Sequence, residues 1–144
     1  MSEISGSVSC NIHNGIAHIT FFHPQSNSLP GVILRELAEE ISKAGENSDV
    51  KVIVLKSEGE KAFCAGASFD ELTAIDSEEV GKIFFSGFAQ VINAMRKAPK
   101  FVVCRVQGKT VGGGVGIACS ADITYAVESA SVKLSELAVG IGPF

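Results

Sequence analysis

The run Gly112-Gly113-Gly114-Val115-Gly116 constrains this chain most. Four glycines in five positions suit neither a strand interior nor a helix interior. They suit a junction, and the flanks supply one. Phe101 to Val106 is an apolar stretch that reads as a buried strand, and the small residues through Cys119 start a short helix. The N–H groups of a helix's first turn have no intrahelical partner and point outward. With no side chains in the way, they can meet a developing negative charge. Close packing of a helix on a sheet also favours glycine. The run alone does not separate the two readings.

Two phosphate-binding readings fail on spacing. Gly108-Lys109-Thr110 looks like the tail of a P-loop, but the loop needs a first glycine where Val103 stands. A dinucleotide fingerprint beginning at Gly112 would need glycine at Ile117.

A second small-residue segment has the same placement. Lys61-Ala62-Phe63-Cys64-Ala65-Gly66-Ala67-Ser68 follows the apolar run Val52 to Leu55 and precedes a helical turn around Asp70 to Leu72. Two such junctions can face one oxyanion from different directions. That arrangement serves enolate or tetrahedral-oxyanion chemistry on a carbonyl.

The remaining pattern is α/β. Val8, Cys10 and Ile12 alternate with polar residues, and Asn14-Gly15 is a hairpin signal before the return strand Ile16 to Phe21. His18 falls on that strand's polar face. After a loop over 23–31, Pro30 fits a first helical turn, Leu34, Leu37, Ala38 and Ile41 line one face, and Gly45 is a stop signal. Val52 to Leu55 reads as a strand buried on both faces, and 58–67 as a loop. Asp76 or Ser77 can cap a second long helix, whose apolar face is Ile83, Phe84, Phe88, Val91, Ile92 and Met95. Pro99 lies beyond its end. Ile123 to Val127 and Ser131 to Leu134 read as short strands. The order predicts one α/β domain over 1–144.

Composition excludes several classes. With 46% hydrophobic residues, the chain is too apolar for disorder. A net charge of −4 with dispersed signs builds no phosphate-tracking surface, so nucleic acid is not an expected partner. Met1 to Ser9 lacks a basic and apolar leader pattern, and no apolar run approaches a membrane span. Cys10, Cys64, Cys104 and Cys119 form no C-x-x-C pair, and His13, His18 and His23 do not join them at zinc spacing. No metal site is expected. Reduced, buried thiols and a cytoplasmic location are.

The motifs together resemble the crotonase (enoyl-CoA hydratase/isomerase) superfamily. Lys61 to Ala67 resembles its first oxyanion loop. Gln107-Gly108-Lys109-Thr110-Val111-Gly112-Gly113-Gly114-Val115-Gly116, followed by Ala121-Asp122-Ile123, resembles its second. Asn27-Ser28-Leu29 is similar to the family's segment near coenzyme A. Ser135-Glu136-Leu137, with Gly140 and Pro143, resembles the segment carrying a catalytic glutamate.

The resemblance implies a crotonase/ClpP-like spiral of short sheets with flanking helices. It implies an enoyl-CoA hydratase or isomerase acting on an acyl-CoA thioester, in fatty or branched-chain acyl-CoA breakdown, without a prosthetic group. Coenzyme A enters as part of the substrate. Ala67 and Gly113 would be the oxyanion N–H donors and Glu136 the general acid/base. Ala65, Ser68, Phe69 and Asp70, with Ser26 and Asn27 of the 26–29 loop, would line the substrate site.

Two departures matter. Two-glutamate hydratases carry a second glutamate where Gly116 stands, so one carboxylate remains, enough to shuttle a proton between carbons. Ser68 replaces the usual aspartate, so either Asp70 or Glu71 compensates or that aspartate is dispensable. The Gly-Gly-Gly-Val-Gly run followed by Ser-Glu is similar to a branch acting on methylglutaconyl-type thioesters. The family continues past this length with helices that cover the acyl pocket and build trimer contacts. That implies a homo-oligomer and a missing C-terminal helical region. It also leaves an alternative: a non-catalytic acyl-CoA-binding or assembly fragment of the same fold.

Overall fold

Alternation at the N-terminus builds a hairpin. In the computed structural model, which describes residues 6–142, strands β1 (Ser7–His13) and β2 (Ile16–Phe22) pair antiparallel, Ser7 opposite Phe22 through His13 opposite Ile16. Asn14 and Gly15 both take positive φ, 50° and 78°, the backbone of a type I′ turn. Its twist matches that of the strands it joins.

The chain continues through β3 (Ser28–Leu29), α1 (Gly31–Glu46), β4 (Val52–Ser57), β5 (Ala62–Cys64), β6 (Gly66–Ala67), α2 (Phe69–Thr73) and α3 (Glu78–Lys97). It then forms β7 (Phe101–Val106), β8 (Lys109–Val111), α4 (Gly113–Ser120), β9 (Ile123–Ala126), β10 (Val132–Lys133) and a 3₁₀ turn, Glu136–Val139. The main sheet has the order β1-β2-β4-β7-β9, with every pair after the hairpin parallel. A three-stranded sheet, β10-β8-β5, and a pair, β3-β6, lie beside it. Stacked short sheets with flanking helices are the expected architecture. Pro143 lies outside the described residues.

Register places the core side chains in rows. Ala17, Ile53 and Val102 are neighbours across the main sheet, as are Ile19, Leu55 and Cys104, and all six are buried. Ile33, Leu34, Leu37 and Ile41 of α1 join the same core, as do Phe88, Val91 and Met95 of α3. Phe63 meets Phe21 edge-on, ring centroids 5.4 Å apart.

Several sequence expectations need correction. Pro30 is the N-cap of α1, not a first-turn residue, and Gly45 lies buried within that helix, which ends at Glu46. The segment 58–67 contains β5 and β6, each too short to show a period. Burial alternates along β4 and β7, so one sheet face stays partly open among the described residues; Phe101 is 49% exposed. Ile83 is 60% exposed. It sits five residues before Phe88, about 140° around a helix of 3.6 residues per turn, and so leaves the buried stripe. Cys64 and Cys104 are buried, their thiols pushed up to about 12 by burial, but Cys10 is half-buried and Cys119 exposed.

Ser77 caps α3, its Oγ accepting the Val80 N–H at 3.3 Å. No helix among the described residues is long and apolar enough to cross a membrane. Among them, too, no group of three His, Cys, Asp or Glu residues is arranged to hold a metal.

Candidate functional site

Two amides fix the first junction. The Asn27 side chain, 2% exposed, accepts the His23 N–H at 2.7 Å and donates to the carbonyls of Glu58 at 2.8 Å and Ala62 at 3.0 Å. Gln107 Nε2 reaches the same segment, donating to Ser57 Oγ, Gly59 O and Ala62 O. Ala62 O is thus gripped by both, and β5 leads from it towards Ala67. β6 pairs with β3, the Ser68 N–H donates to Leu29 O, and Ser28 Oγ donates to Ala67 O at 2.9 Å. Gly66 turns this junction with φ 98°.

Asn27→Ala would strand the His23 N–H and the Glu58 carbonyl, leave Ala62 O to Gln107 alone, and place alanine at φ 56°. The expected cost is about 3 kcal/mol, read as a lower urea midpoint at constant slope. An unchanged midpoint would remove the anchoring role.

The second junction joins β8 to α4. Gly112 donates its N–H to Lys133 O at 3.0 Å and takes φ 56°, ψ −129°, a backbone open to little besides glycine. Gly113 then opens α4, so its N–H is a first-turn donor at the positive end of the helix dipole. A Cβ on Gly113 would stand 2.5 Å from the Phe88 ring. Close packing and a first-turn donor therefore coexist at this glycine.

Glu136 opens the 3₁₀ turn. Its Oε1 lies 3.3 Å from where a Cβ on Gly112 would sit. Its Oε2 is buried and has no hydrogen-bond partner among the described residues. A buried carboxylate oxygen without a partner is costly. It is also free to take a proton from something entering the site.

Ala67, Gly113 and Glu136 line one cavity of about 520 Å³. Ser28, Ala65 and Phe69 line it too. Ser68 and Asp70 do not. Ser68 caps α2, its Oγ accepting the Glu71 N–H, and Asp70 is exposed on that helix. Glu71 Oε2 instead accepts the Gly31 N–H at 2.8 Å, tying α2 to the start of α1. Ser26 and Asn27 border a separate, smaller cleft of about 290 Å³, together with His23 and Lys61. His23 is 8% exposed, its Nδ1 has no partner among the described residues, and burial lowers its pKa, partly opposed by Glu71.

The sequence profile of the enoyl-CoA hydratase/isomerase family matches residues 11–144. The chain belongs to this family.

The relatives carry the names of different acyl-CoA enzymes. The rat mitochondrial methylglutaconyl-CoA hydratase is 33% identical over 117 residues, 81% of this chain and 37% of that one. A hexahydro-1H-indene-carboxyl-CoA hydrolase of Rhodococcus jostii is 33% identical over 132 residues, 92% of this chain and 51% of that one. The crystal structure of an enoyl-CoA hydratase from Bacillus anthracis superposes with TM-score 0.87 at 28% identity, covering 94% of this chain and 53% of that chain. The crotonase fold is therefore established. The chain spans 37–53% of the length of these relatives.

In this enoyl-CoA hydratase/isomerase family chain, the cavity wall holds residues that the sequence marked only as core. Phe84, Phe88 and Ile92 form an i, i+4, i+8 stripe of α3 facing the cavity, joined by Phe85, Leu72, Leu134, Val139 and Ile141. Asp122, quoted only as part of a motif, holds β7 in place: Oδ2 accepts the Val102 N–H at 2.7 Å.

Proposed function

We propose that the protein is an acyl-CoA enzyme of the hydratase/isomerase type. It holds a thioester oxygen with the Ala67 and Gly113 N–H groups and moves a proton with Glu136. The observation that carries this reading is the convergence of those residues, from β6, α4 and the 3₁₀ turn, on one largely apolar cavity.

The chemistry follows from the placement. Two N–H donors stabilise negative charge on the carbonyl oxygen more than they stabilise the neutral thioester. The protons flanking an enoyl group's double bond become more acidic as that charge is accepted. Glu136 takes one of them and leaves its electron pair in the dienolate. Returning the proton to a different carbon shifts the double bond. Gly116 offers no second carboxylate to activate water, so a one-carboxylate isomerisation fits the side chains present better than concerted hydration. Coenzyme A would pass the 65–70 segment and the 26–29 loop.

A 3-enoyl-CoA should gain the ultraviolet absorbance of a conjugated thioester, faster than a 2-enoyl-CoA loses it by hydration. Faster loss from the 2-enoyl ester would reverse that preference. A second reading, a non-catalytic acyl-CoA-binding module, is favoured by Gly116, which stands where two-glutamate hydratases carry a second carboxylate. Acyl-CoA binding with neither absorbance change would select it.

The reading includes self-association. Ile123 and Tyr125 of β9, Val132 of β10, and Leu137 and Val139 of the 3₁₀ turn are exposed, and apolar patches of this kind are rarely left to water. Light scattering should show an oligomer at micromolar concentration. A clean monomer throughout would remove this part.

A further inference from the structure

Gly116 sits one turn into α4 and lines the same cavity as Gly113. Its backbone is outside the left-handed region. A Cβ there would meet only the flexible end of Ile92, with Cδ1 at 2.9 Å and Cγ1 at 3.9 Å. Gly114 differs, since a Cβ there would strike Cys64, including its backbone oxygen. Neither backbone conformation nor backbone packing therefore demands glycine at 116. Glycine inside a helix costs about 1 kcal/mol relative to alanine, and the room it leaves is shared by the Ile92 methyl and the cavity.

That space belongs to an uncharged environment. Ile92 is the side chain that a Cβ at 116 would meet, and Ala89, Phe88 and Phe84 of the same helix line the cavity beside it. The polar side chains lining the whole cavity are Ser28, Asn93, Ser135 and Glu136, and no lysine, arginine or histidine lines it among the described residues. A second carboxylate on an acyl group would find no cation there and would share the cavity with Glu136. Burying it unpaired is strongly unfavourable.

We propose that Gly116 and Ile92 form the floor of an acyl recess that takes an uncharged, apolar acyl tail. This rests on the thioester-site reading above and adds to it a specificity determinant and a substrate class. The Ile92 methyl ends the recess, and the absent side chain at 116 keeps it open.

The test titrates the 144-residue protein with free coenzyme A and with acetyl-, butyryl-, hexanoyl- and glutaryl-CoA. Backbone amide and isoleucine-methyl resonances are followed together. Affinity should rise about fourfold per added methylene. Hexanoyl-CoA should move the Ile92 δ1 methyl and free coenzyme A should not. Glutaryl-CoA should bind no more tightly than acetyl-CoA. Gly116→Val should abolish the chain-length gain, and Ile92→Ala added to it should restore the gain. If Gly116→Val does not fold, the methyl titration of the unaltered protein decides. A still Ile92 methyl, an unchanged gain in folded Gly116→Val, or glutaryl-CoA matching hexanoyl-CoA overturns the recess while the thioester site stands. If no CoA ester moves the Ala67 and Gly113 amides, the thioester site falls and the recess with it.

Discussion

Glu136→Gln is expected to lower turnover by roughly 10²–10⁴-fold, the usual worth of a positioned general acid/base, while acyl-CoA affinity stays nearly constant. Glutamine keeps the shape that fits beside Gly112, where Glu136 Oε1 stands 3.3 Å from a would-be Cβ. It gives up the ability to take a proton. The orphaned Oε2 also becomes less costly to bury once its charge is gone, so the variant should be no less stable than the parent. Glu136→Asp tests position instead. It keeps the charge but draws the carboxylate back by about an ångström, which can cost on the order of a hundredfold. Rates measured with a 3-enoyl-CoA, alongside binding of a saturated ester, separate the two effects. Parental turnover in Glu136→Gln would refute the role and move the search to Glu71 or Asp70.

Gly113→Ala should do the most damage for a single methyl group. The new Cβ would lie 2.5–2.6 Å from three atoms of the Phe88 ring, on a helix start that α3 holds from the other side. Something must shift, and overpacking of this kind typically costs about 1–3 kcal/mol. Any shift of α4 carries the Gly113 N–H with it. Losing one oxyanion donor lowers turnover by about 10²–10³-fold. The prediction is therefore a combined loss: a lower unfolding midpoint, and a rate that falls further than the remaining folded fraction explains. Phe88→Leu in the same chain should restore part of the stability by making room for the methyl. A Gly113→Ala protein with parental stability and rate would show that this glycine is neither packed nor catalytic.

The sequence revealed the junctions more clearly than their surroundings. Asn14-Gly15 announced a type I′ hairpin because few dipeptides accept two positive φ angles. Ser77 before Glu78 and Glu79 announced a helix start because orphan N–H groups need an acceptor. Ser68-Phe69-Asp70-Glu71 has the S-x-x-E spacing of a capping box, a readable signal for α2. The structure uses half of it, since Glu71 turns away to Gly31. β3 and β6 stayed hidden because two residues cannot show a period, while β10 falls inside the strand expected over Ser131 to Leu134.

The cavity wall stayed hidden for a different reason. An apolar stripe such as Phe84, Phe88 and Ile92 looks the same whether it meets protein or a substrate. Asn27 and Gln107 reach across 31 to 50 residues to carbonyls that no local pattern marks. Asn27 was read as a coenzyme A neighbour, and its side chain is already committed to backbone. Ala67, Gly113 and Glu136 stand out together only through their resemblance to the family's motifs; residue chemistry alone marks just the two small-residue junctions.

The central claim is that one oxygen sits between two backbone donors beside one carboxylate. A crystal structure of the protein with a bound, unreactive acyl-CoA thioester measures it directly. The thioester oxygen should lie about 2.7–3.1 Å from both the Ala67 and Gly113 nitrogens, with Glu136 facing the acyl carbons. A thioester oxygen bonded to neither nitrogen, or an acyl group seated away from Glu136, would contradict the account.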